Sequence, residues 1–352
     1  MTLAPGVLAG LGAALLFGAG TPVAKLLLEQ SSPWLLAALL YLGSGVGLFA
    51  VRAVTGAPGA RLPRAEMPWF AGAVMAGGVA GPVLLMLGLA RMPASQASLL
   101  LNGEAVLTAM LAWFVFRENF DRRIALGMVL IVAGGVVLAW PARFDDWRGW
   151  QPAVFVAAAC MAWAIDNNLT RKVSLADASW LAMVKGLAAG STNLLLALLA
   201  GTAWPPMPVV IAAGALGFVS YGVSLVLFVI GLRKLGTART GAYFSVAPFF
   251  GAALSIPLLG EAVTPPLLAA GALMAAGVWL HITERHEHWH LHDAMEHEHE
   301  HVHGTGDEHH DHVHEPPVPA GTRHSHLHRH AHLAHSHAHY PDAHHRHDHG
   351  PS

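Results

Sequence analysis

A chain of 352 residues that is 54% hydrophobic and only 12% charged is badly matched to water, where a globular domain carries about 25% charged residues. Its formal charge of −2 hides a division: residues 1–280 hold 16 basic and 10 acidic side chains, whereas residues 281–352 hold 4 and 12. The single cysteine, Cys160, excludes an intrachain disulfide and a thiolate zinc cage. All 25 histidines fall in the last 72 residues, which removes Ser-His chemistry from the apolar part.

A hydrocarbon core about 30 Å thick needs about 20 apolar helical residues to cross it. Ten stretches qualify: 5–28, 33–51, 68–90, 94–116, 124–142, 151–170, 178–200, 207–232, 238–259 and 265–283. The first has no basic lead, and its apolar run from Leu8 to Leu28 exceeds a signal-peptide core. It therefore reads as a retained span. Connectors such as Arg61-Leu62-Pro63-Arg64 are short and gather proline and charge. Trp34, Trp69, Trp140, Trp147, Trp150 and Trp204 lie near span ends, as an interfacial aromatic belt requires.

Polar groups inside these stretches are costly in hydrocarbon, so each faces a cavity or a partner. Lys25, near the end of the first span, reads as a snorkelling anchor. Gly43 with Gly47, and Gly77 with Gly81, read as close helix packing. Glu104 lies in the middle of the fourth span, two residues after Asn102. It is read either as a proton-coupling or amine-binding carboxylate, or as one that pairs with a neighbouring helix. Asp166, Asn167 and Asn168 are consecutive in the sixth span and cannot share one face. They are read as a substrate group or as a capped helix end. Lys185 lies about 10 Å inside the seventh span at 1.5 Å per residue, within reach of snorkelling or of an ion pair with Glu104 or Asp166. Ser191-Thr192-Asn193, Ser220-Tyr221, Tyr243 and Ser245 put further hydrogen-bonding groups at mid-depth. Pro248 in the ninth span removes a backbone bond and reads as a hinge.

The apolar part also repeats itself. Gly88-Leu89-Ala90-Arg91 aligns with Gly231-Leu232-Arg233-Lys234, and Phe116-Arg117-Glu118 aligns with Leu259-Gly260-Glu261 at the same offset. Phe17 to Lys25 resembles Trp163 to Arg171. Five spans plus five predicts an all-α membrane protein whose halves, 1–142 and 143–284, enter the bilayer in opposite senses. With a cytoplasmic N-terminus, the inner loops collect Arg52, Arg61, Arg64, Arg117, Arg122, Arg123, Arg171, Lys172, Arg233, Lys234 and Arg239. The outer segments hold Lys25, Arg91, Arg143 and Arg148, so both termini are expected inside.

Two halves that each close with an acidic residue and a glycine-bearing helix (Glu118, Gly127, Gly134; Glu261, Gly271, Gly277) resemble the EamA family of the drug/metabolite transporter superfamily. Pro248 fits that pattern; its counterpart Ala105 departs from it. The resemblance covers about residues 5–283. It implies secondary export of small polar metabolites, amino acids or drugs, with no enzymatic step and no required cofactor. A bacterial inner membrane is the expected location. No GxxxxGK[ST] phosphate cradle is present, so direct ATP drive is not expected. Nucleic acid is not an expected partner; the bilayer and a small-molecule cargo are.

The tail, 285–352, alternates histidine with acidic residues: His286, His288, His290, His292, His297, His299, His301 and His303, with Glu287, Glu296, Glu298 and Glu300 between. Few apolar groups are there to bury, so disorder is expected, as is binding of Zn, Ni, Co or Cu by neutral imidazoles. With histidine titrating near pH 6.5, a pH-responsive charge patch is a second reading of it. Three functions remain: an exporter of organic solutes, a divalent-metal exporter whose tail collects the ion, and a membrane-anchored metal buffer. The absence of histidine from residues 1–280 weighs against the second, and the buried ionisable groups weigh against the third.

Overall fold

The computed structural model describes residues 5–57, 62–116, 122–140, 147–170, 173, 177–235, 237–283, 287–292, 295–302, 323–330 and 333–338. The chain divides into two compact units, Met1–Glu284 and Arg285–Ser352.

The first unit is helical. Helix α1 spans Pro5–Leu27 and α2 spans Pro33–Thr55. Ser32 caps α2, its hydroxyl accepting from the Leu35 amide, and Gly56 ends it at φ 63°, a conformation that favours glycine. The third stretch is not one regular helix. Helix α3 (Met67–Ala73) passes through a π-helical turn, Val74–Ala80, into α4 (Gly81–Leu89). The fourth is broken into α5 (Ala94–Leu100) and α6 (Gly103–Phe116). Then come α7 (Arg122–Ala139), α8 (Trp147–Thr170) and α9 (Ala178–Leu199). Helices α10 (Met207–Gly217) and α11 (Ser224–Leu235) flank a second π turn, Phe218–Val223. A second break separates α12 (Thr237–Phe244) from α13 (Ala247–Leu259), and α14 (Pro265–Ile282) closes the unit.

Four stretches expected to be continuous are thus interrupted, and the interruptions correspond. The π turns begin at Val74 and Phe218, and the breaks fall at Leu101–Asn102 and Ser245–Val246, 144 residues apart in both cases. Six helical stretches are long and apolar enough to cross a membrane: Pro5–Leu27, Pro33–Thr55, Met67–Leu89, Gly149–Thr170, Ser179–Leu199 and Met207–Gly231. Arg123–Ala139, Ala247–Leu259 and Pro265–His281 are apolar but shorter. Exposed Phe49, Val54, Phe114 and Leu199 give this unit an outer surface suited to lipid.

Glycines set the helix pairings. A Cβ on Gly45 would meet the Leu187 amide at 2.6 Å, and one on Gly190 would meet the Leu42 amide at 2.7 Å, so α2 and α9 run antiparallel in near backbone contact. Helices α7 and α14 do the same, Gly127 against Gly277 and Gly134 against Ala270 and Met274. Gly43 lies on the Gly214 carbonyl and Gly47 on the Phe218 ring, the packing expected of them. Helix α1 crosses α13 at Gly18 and Gly251, whereas α8 crosses α4 at Gly81 and Gly88. Leu35, Leu36, Leu40, Met86, Leu89 and Val156 form the main buried core.

Charges at helix ends are matched to those ends. Lys25 Nζ donates to the Leu89 carbonyl at 2.6 Å and the Met92 carbonyl at 3.1 Å, closing the C-terminus of α4, where a helix end favours positive charge. Glu261 accepts from the amides of Ala94 and Ser95, at 2.5 and 2.9 Å, at the start of α5. Its expected counterpart, Glu118, lies outside the described residues.

Asp177 caps α9 through the Trp180 amide and holds Arg52 of α2 at 2.7 Å. Partial burial would raise its carboxyl, but the Ser179 hydroxyl, the Trp180 amide and Arg52 together hold it below the ordinary carboxylate range. A lowered folded-state value means its stabilisation is complete above the ordinary range and is lost as pH falls through the lowered one. Asp177→Ala should lower thermal stability in detergent by about 1–2 kcal/mol, the value of an N-cap. That difference should shrink on acidification.

The second unit is described over four short segments. Strand β1 (Glu287–His292) and strand β2 (Met295–Val302) pair antiparallel with β4 (Leu333–Ala338) and β3 (Arg323–His330), respectively. Alternation of histidine with another residue has the period of a strand, and a two-stranded ladder asks only for backbone partners. His286 and His303 lie outside the described residues.

Candidate functional site

The site begins with a missing hydrogen. In the first π turn the Gly81 amide bonds to the Ala76 carbonyl, and the next residue, Pro82, has no amide to offer Gly77. The freed Gly77 carbonyl is satisfied from two other helices: by the Tyr41 hydroxyl of α2 and by Trp163 Nε1 of α8, each at 2.9 Å. The adjacent Gly78 carbonyl accepts from Asn193 Nδ2 of α9 at 3.1 Å. A π turn thereby ties α2, α8 and α9 to one point, the sort of irregularity that gathers at functional places.

Gly77 was expected to serve packing alone, yet its missing side chain makes room for a carboxylate. A Cβ there would stand 1.9 Å from Asp166 Oδ2. Asp166 of α8 is 4% exposed, ion-paired with Lys185 of α9, and bonded through Oδ1 to the Thr170 hydroxyl at 3.0 Å. Of the two ion pairs open to Lys185, the structure forms the one with Asp166. Gly77→Ala should displace that carboxylate and lower thermal stability by about 1–3 kcal/mol, the range for forcing a methyl into a packed interior. Size-exclusion thermostability of the purified variant measures this.

Asn167 and Asn168 leave α8 in other directions. Asn167 Nδ2 donates to Glu104 Oε1 at 2.9 Å and to the Thr108 hydroxyl at 3.3 Å, both on α6. Asn168 Nδ2 donates to the Thr108 carbonyl at 3.3 Å and back to the Ala164 carbonyl at 2.8 Å. Glu104 occupies the first turn of α6, just beyond the break, where a helix start favours negative charge. It is partly exposed and Asn167 is exposed, so this side of the cluster is open.

Asn102 does not join them. It is buried in the break and bonded to the Leu99 carbonyl at 3.0 Å, with Met274 Sδ at 3.9 Å. Two residues separate it from Glu104, but the change of helix turns it the other way. Tyr221 sits in the second π turn with its ring 5.8 Å from Tyr41. Tyr243 packs on α1, its Cβ 3.1 Å from where a Gly10 side chain would begin. Pro248 falls in the first turn of α13, where a missing amide costs nothing. The turn at Ser245–Val246, rather than the proline, interrupts the helix.

Tyr41, Trp163, Thr108 and Thr170 belong to the cluster and were not foreseen. The available signal was Pro82 placed five residues after Gly77 in an apolar stretch. An apolar groove of about 430 Å³ between α3 and α9, lined by Phe70, Val74, Trp180 and Val184, offers no comparable chemistry.

Apolar helices of membrane-crossing length, paired π turns and breaks, and ionisable groups gathered beside them define a multi-pass membrane carrier. Family comparison gives the same class. A model of the EamA-like transporter family matches residues 4–140 and again 150–283, and the chain belongs to that family. It is a transporter and not an enzyme. It is similar to an "Uncharacterized transporter" of Methanothermobacter thermautotrophicus, 28% identical over 76% of this chain and 83% of that one. A "Probable amino-acid metabolite efflux pump" of Salmonella typhimurium is 27% identical over 54% of this chain and 68% of its own length. One solved crystal structure shares the fold at a TM-score of 0.60 and 21% identity, over 79% of this chain and 96% of that one.

Proposed function

We propose that the protein exports small polar organic solutes, amino acids among them, by alternating access in a bacterial inner membrane. Ten transmembrane segments form two five-helix repeats of opposite orientation, with both termini cytoplasmic. Support for inversion comes from the two family matches, the interruptions 144 residues apart, and the antiparallel pairing of corresponding helices, α2 with α9 and α7 with α14. The name of the Salmonella relative supports the cargo class. The observation that carries the reading is Glu104, a carboxylate inside the bundle whose hydrogen-bond partner among the described residues is the neutral amide Asn167. Such a group takes a proton or a substrate ammonium, one at a time, and that exclusivity couples the two. The test is efflux of labelled amino acids from preloaded cells, with and without the protein and across an imposed proton gradient. Efflux indifferent to the protein overturns the reading.

A second activity is supported by strand register. His297, His299 and His301 stand opposite His328, His326 and His324, whereas His288 and His290 stand opposite His337 and His335. Cross-strand neighbours in such ladders are about 5 Å apart at Cβ, a spacing from which two imidazoles reach one Zn, Ni, Co or Cu ion. Removing the chain beyond residue 284 should abolish divalent-metal binding by the purified protein and leave solute efflux intact. Loss of cellular metal tolerance on truncation would instead favour metal export, with the tail as collector.

A further inference from the structure

One end of the bundle is tied by two opposite charges, one on each side of a single loop. Residues Ala90 to Pro93 join α4 to α5. On the α4 side, Lys25 of α1 donates to the carbonyls of Leu89 and Met92. On the α5 side, Glu261, which follows α13, accepts from the amides of Ala94 and Ser95. Glu261 and Glu29 are the carboxylates near enough to act on Lys25. Each charge suits the helix end that it meets, so the loop fastens α1 to α13. Behind it the packing is close. Ala94, Ser95, Ala97 and Ser98 are buried, and a Cβ on Gly251 of α13 would stand 2.6 Å from Ser98 Oγ.

The corresponding part of the second half is not closed in this way. By position in the repeat, α12 is the counterpart of α5, and α6 is that of α13. Helix α5 packs along α13, whereas α12 packs on α1 and α11 and makes no comparable packing on α6 among the described residues. Gly241 of α12 lies 144 residues after Ala97 and 143 after Ser98, both buried. Gly241 is exposed, and a Cβ there would meet nothing within 4 Å. Glu104, at the start of α6, is partly exposed as well. Repeats of matching pattern that pack differently are what one state of an alternating carrier requires, closed at one face and open at the other.

We propose that Lys25 and Glu261 form the latch of one gate, that this gate is closed here, and that it releases once in each transport cycle. This rests on the inverted-repeat exporter reading, which puts the latch at the outer face and Gly241 toward the inner one. The bonds suit the task. Lys25 and Glu261 are both half-buried at helix ends, so each can exchange its partners for water and neither charge is stranded on opening. Glu118, which aligns with Glu261, holds the matching position in the sequence for the other gate.

The experiment places one reporter thiol at each gate of the full-length protein, with the buried Cys160 replaced by alanine. Ser98→Cys and Gly241→Cys are made separately, and reaction with a membrane-impermeant maleimide is timed from either face of membrane vesicles. With the latch intact, Gly241→Cys should react from the face that bears the tail, and Ser98→Cys should be protected. Glu261→Gln, and separately Lys25→Met, should speed reaction of Ser98→Cys from the opposite face about tenfold, as loss of one hydrogen bond to a charged group provides. Both should slow reaction of Gly241→Cys, and Lys25→Arg should keep the original rates. Unchanged rates in both Glu261→Gln and Lys25→Met overturn the latch. So does acceleration at both reporters together, which marks loosened packing rather than a switch between faces. Reciprocal changes without protein-dependent efflux would keep the latch and overturn the exporter reading; efflux with unmoved reporters would do the opposite.

Discussion

Glu104→Gln is expected to cut export sharply while leaving the protein inserted and folded. Glutamine keeps an acceptor oxygen for Asn167 Nδ2, now at 2.9 Å from Glu104 Oε1, so the contact between α6 and α8 survives. What disappears is the charge, and with it the capacity to exchange a proton for an ammonium. A hydrogen bond to a charged group contributes about 1.5–3 kcal/mol, so a loss of about 10- to 100-fold in efflux rate should follow. Efflux from preloaded cells, read beside the amount of protein in the membrane fraction, measures it. A variant that exports at the original rate removes Glu104 from the mechanism.

Lys185→Met should be the most destabilising single change in the bundle, and Asp166→Asn a much milder one. The asymmetry comes from depth. The Asp166 side chain is 6% exposed against 22% for Lys185, and a lysine stem can carry its ammonium toward water. Removing the lysine leaves a buried carboxylate without its counter-charge, which costs about 3–5 kcal/mol. Removing the carboxylate leaves an ammonium with somewhere to go. The double variant Asp166→Asn with Lys185→Met should recover most of the loss, since two uncharged groups need no partner. Thermal unfolding of all three purified variants closes this cycle. Equal losses in the two single variants, or no recovery in the double, would show that the pair does not act as a unit.

Much of this architecture is legible in the sequence because hydrocarbon is an unforgiving solvent. A carboxylate or ammonium in an apolar stretch is conspicuous, which is why Glu104, Asp166 and Lys185 stand out before any coordinates are known. Their partners do not stand out. Asp166, Asn167 and Asn168 are adjacent in the chain, yet Asp166 bonds toward α9 whereas both asparagines reach α6, Asn168 also bonding back along α8. A rotation of about 100° per residue sends neighbours to different faces, and which helix waits at each face is a long-range matter. Asn102 misleads for the same reason: a helix break lies between it and Glu104. Tyr41 and Trp163 are invisible for another, because an aromatic residue in an apolar helix is ordinarily filler. Only the carbonyl left open by Pro82 gives their polar atoms a task.

In the tail, the alternation of histidine with other residues carries the period of a strand.

The sequence by itself determined the apolar segments, the doubling of the pattern near residue 143 and the confinement of histidine to the last 72 residues, because the cost of placing a side chain in lipid or water depends on that side chain alone. Tertiary structure decided that Lys185 serves Asp166 rather than Glu104, that α2 meets α9, and that Tyr41 and Trp163 meet on the Gly77 carbonyl. Those outcomes depend on contacts of a few ångströms between segments far apart in the chain, and helix crossings, not residue types, set such distances.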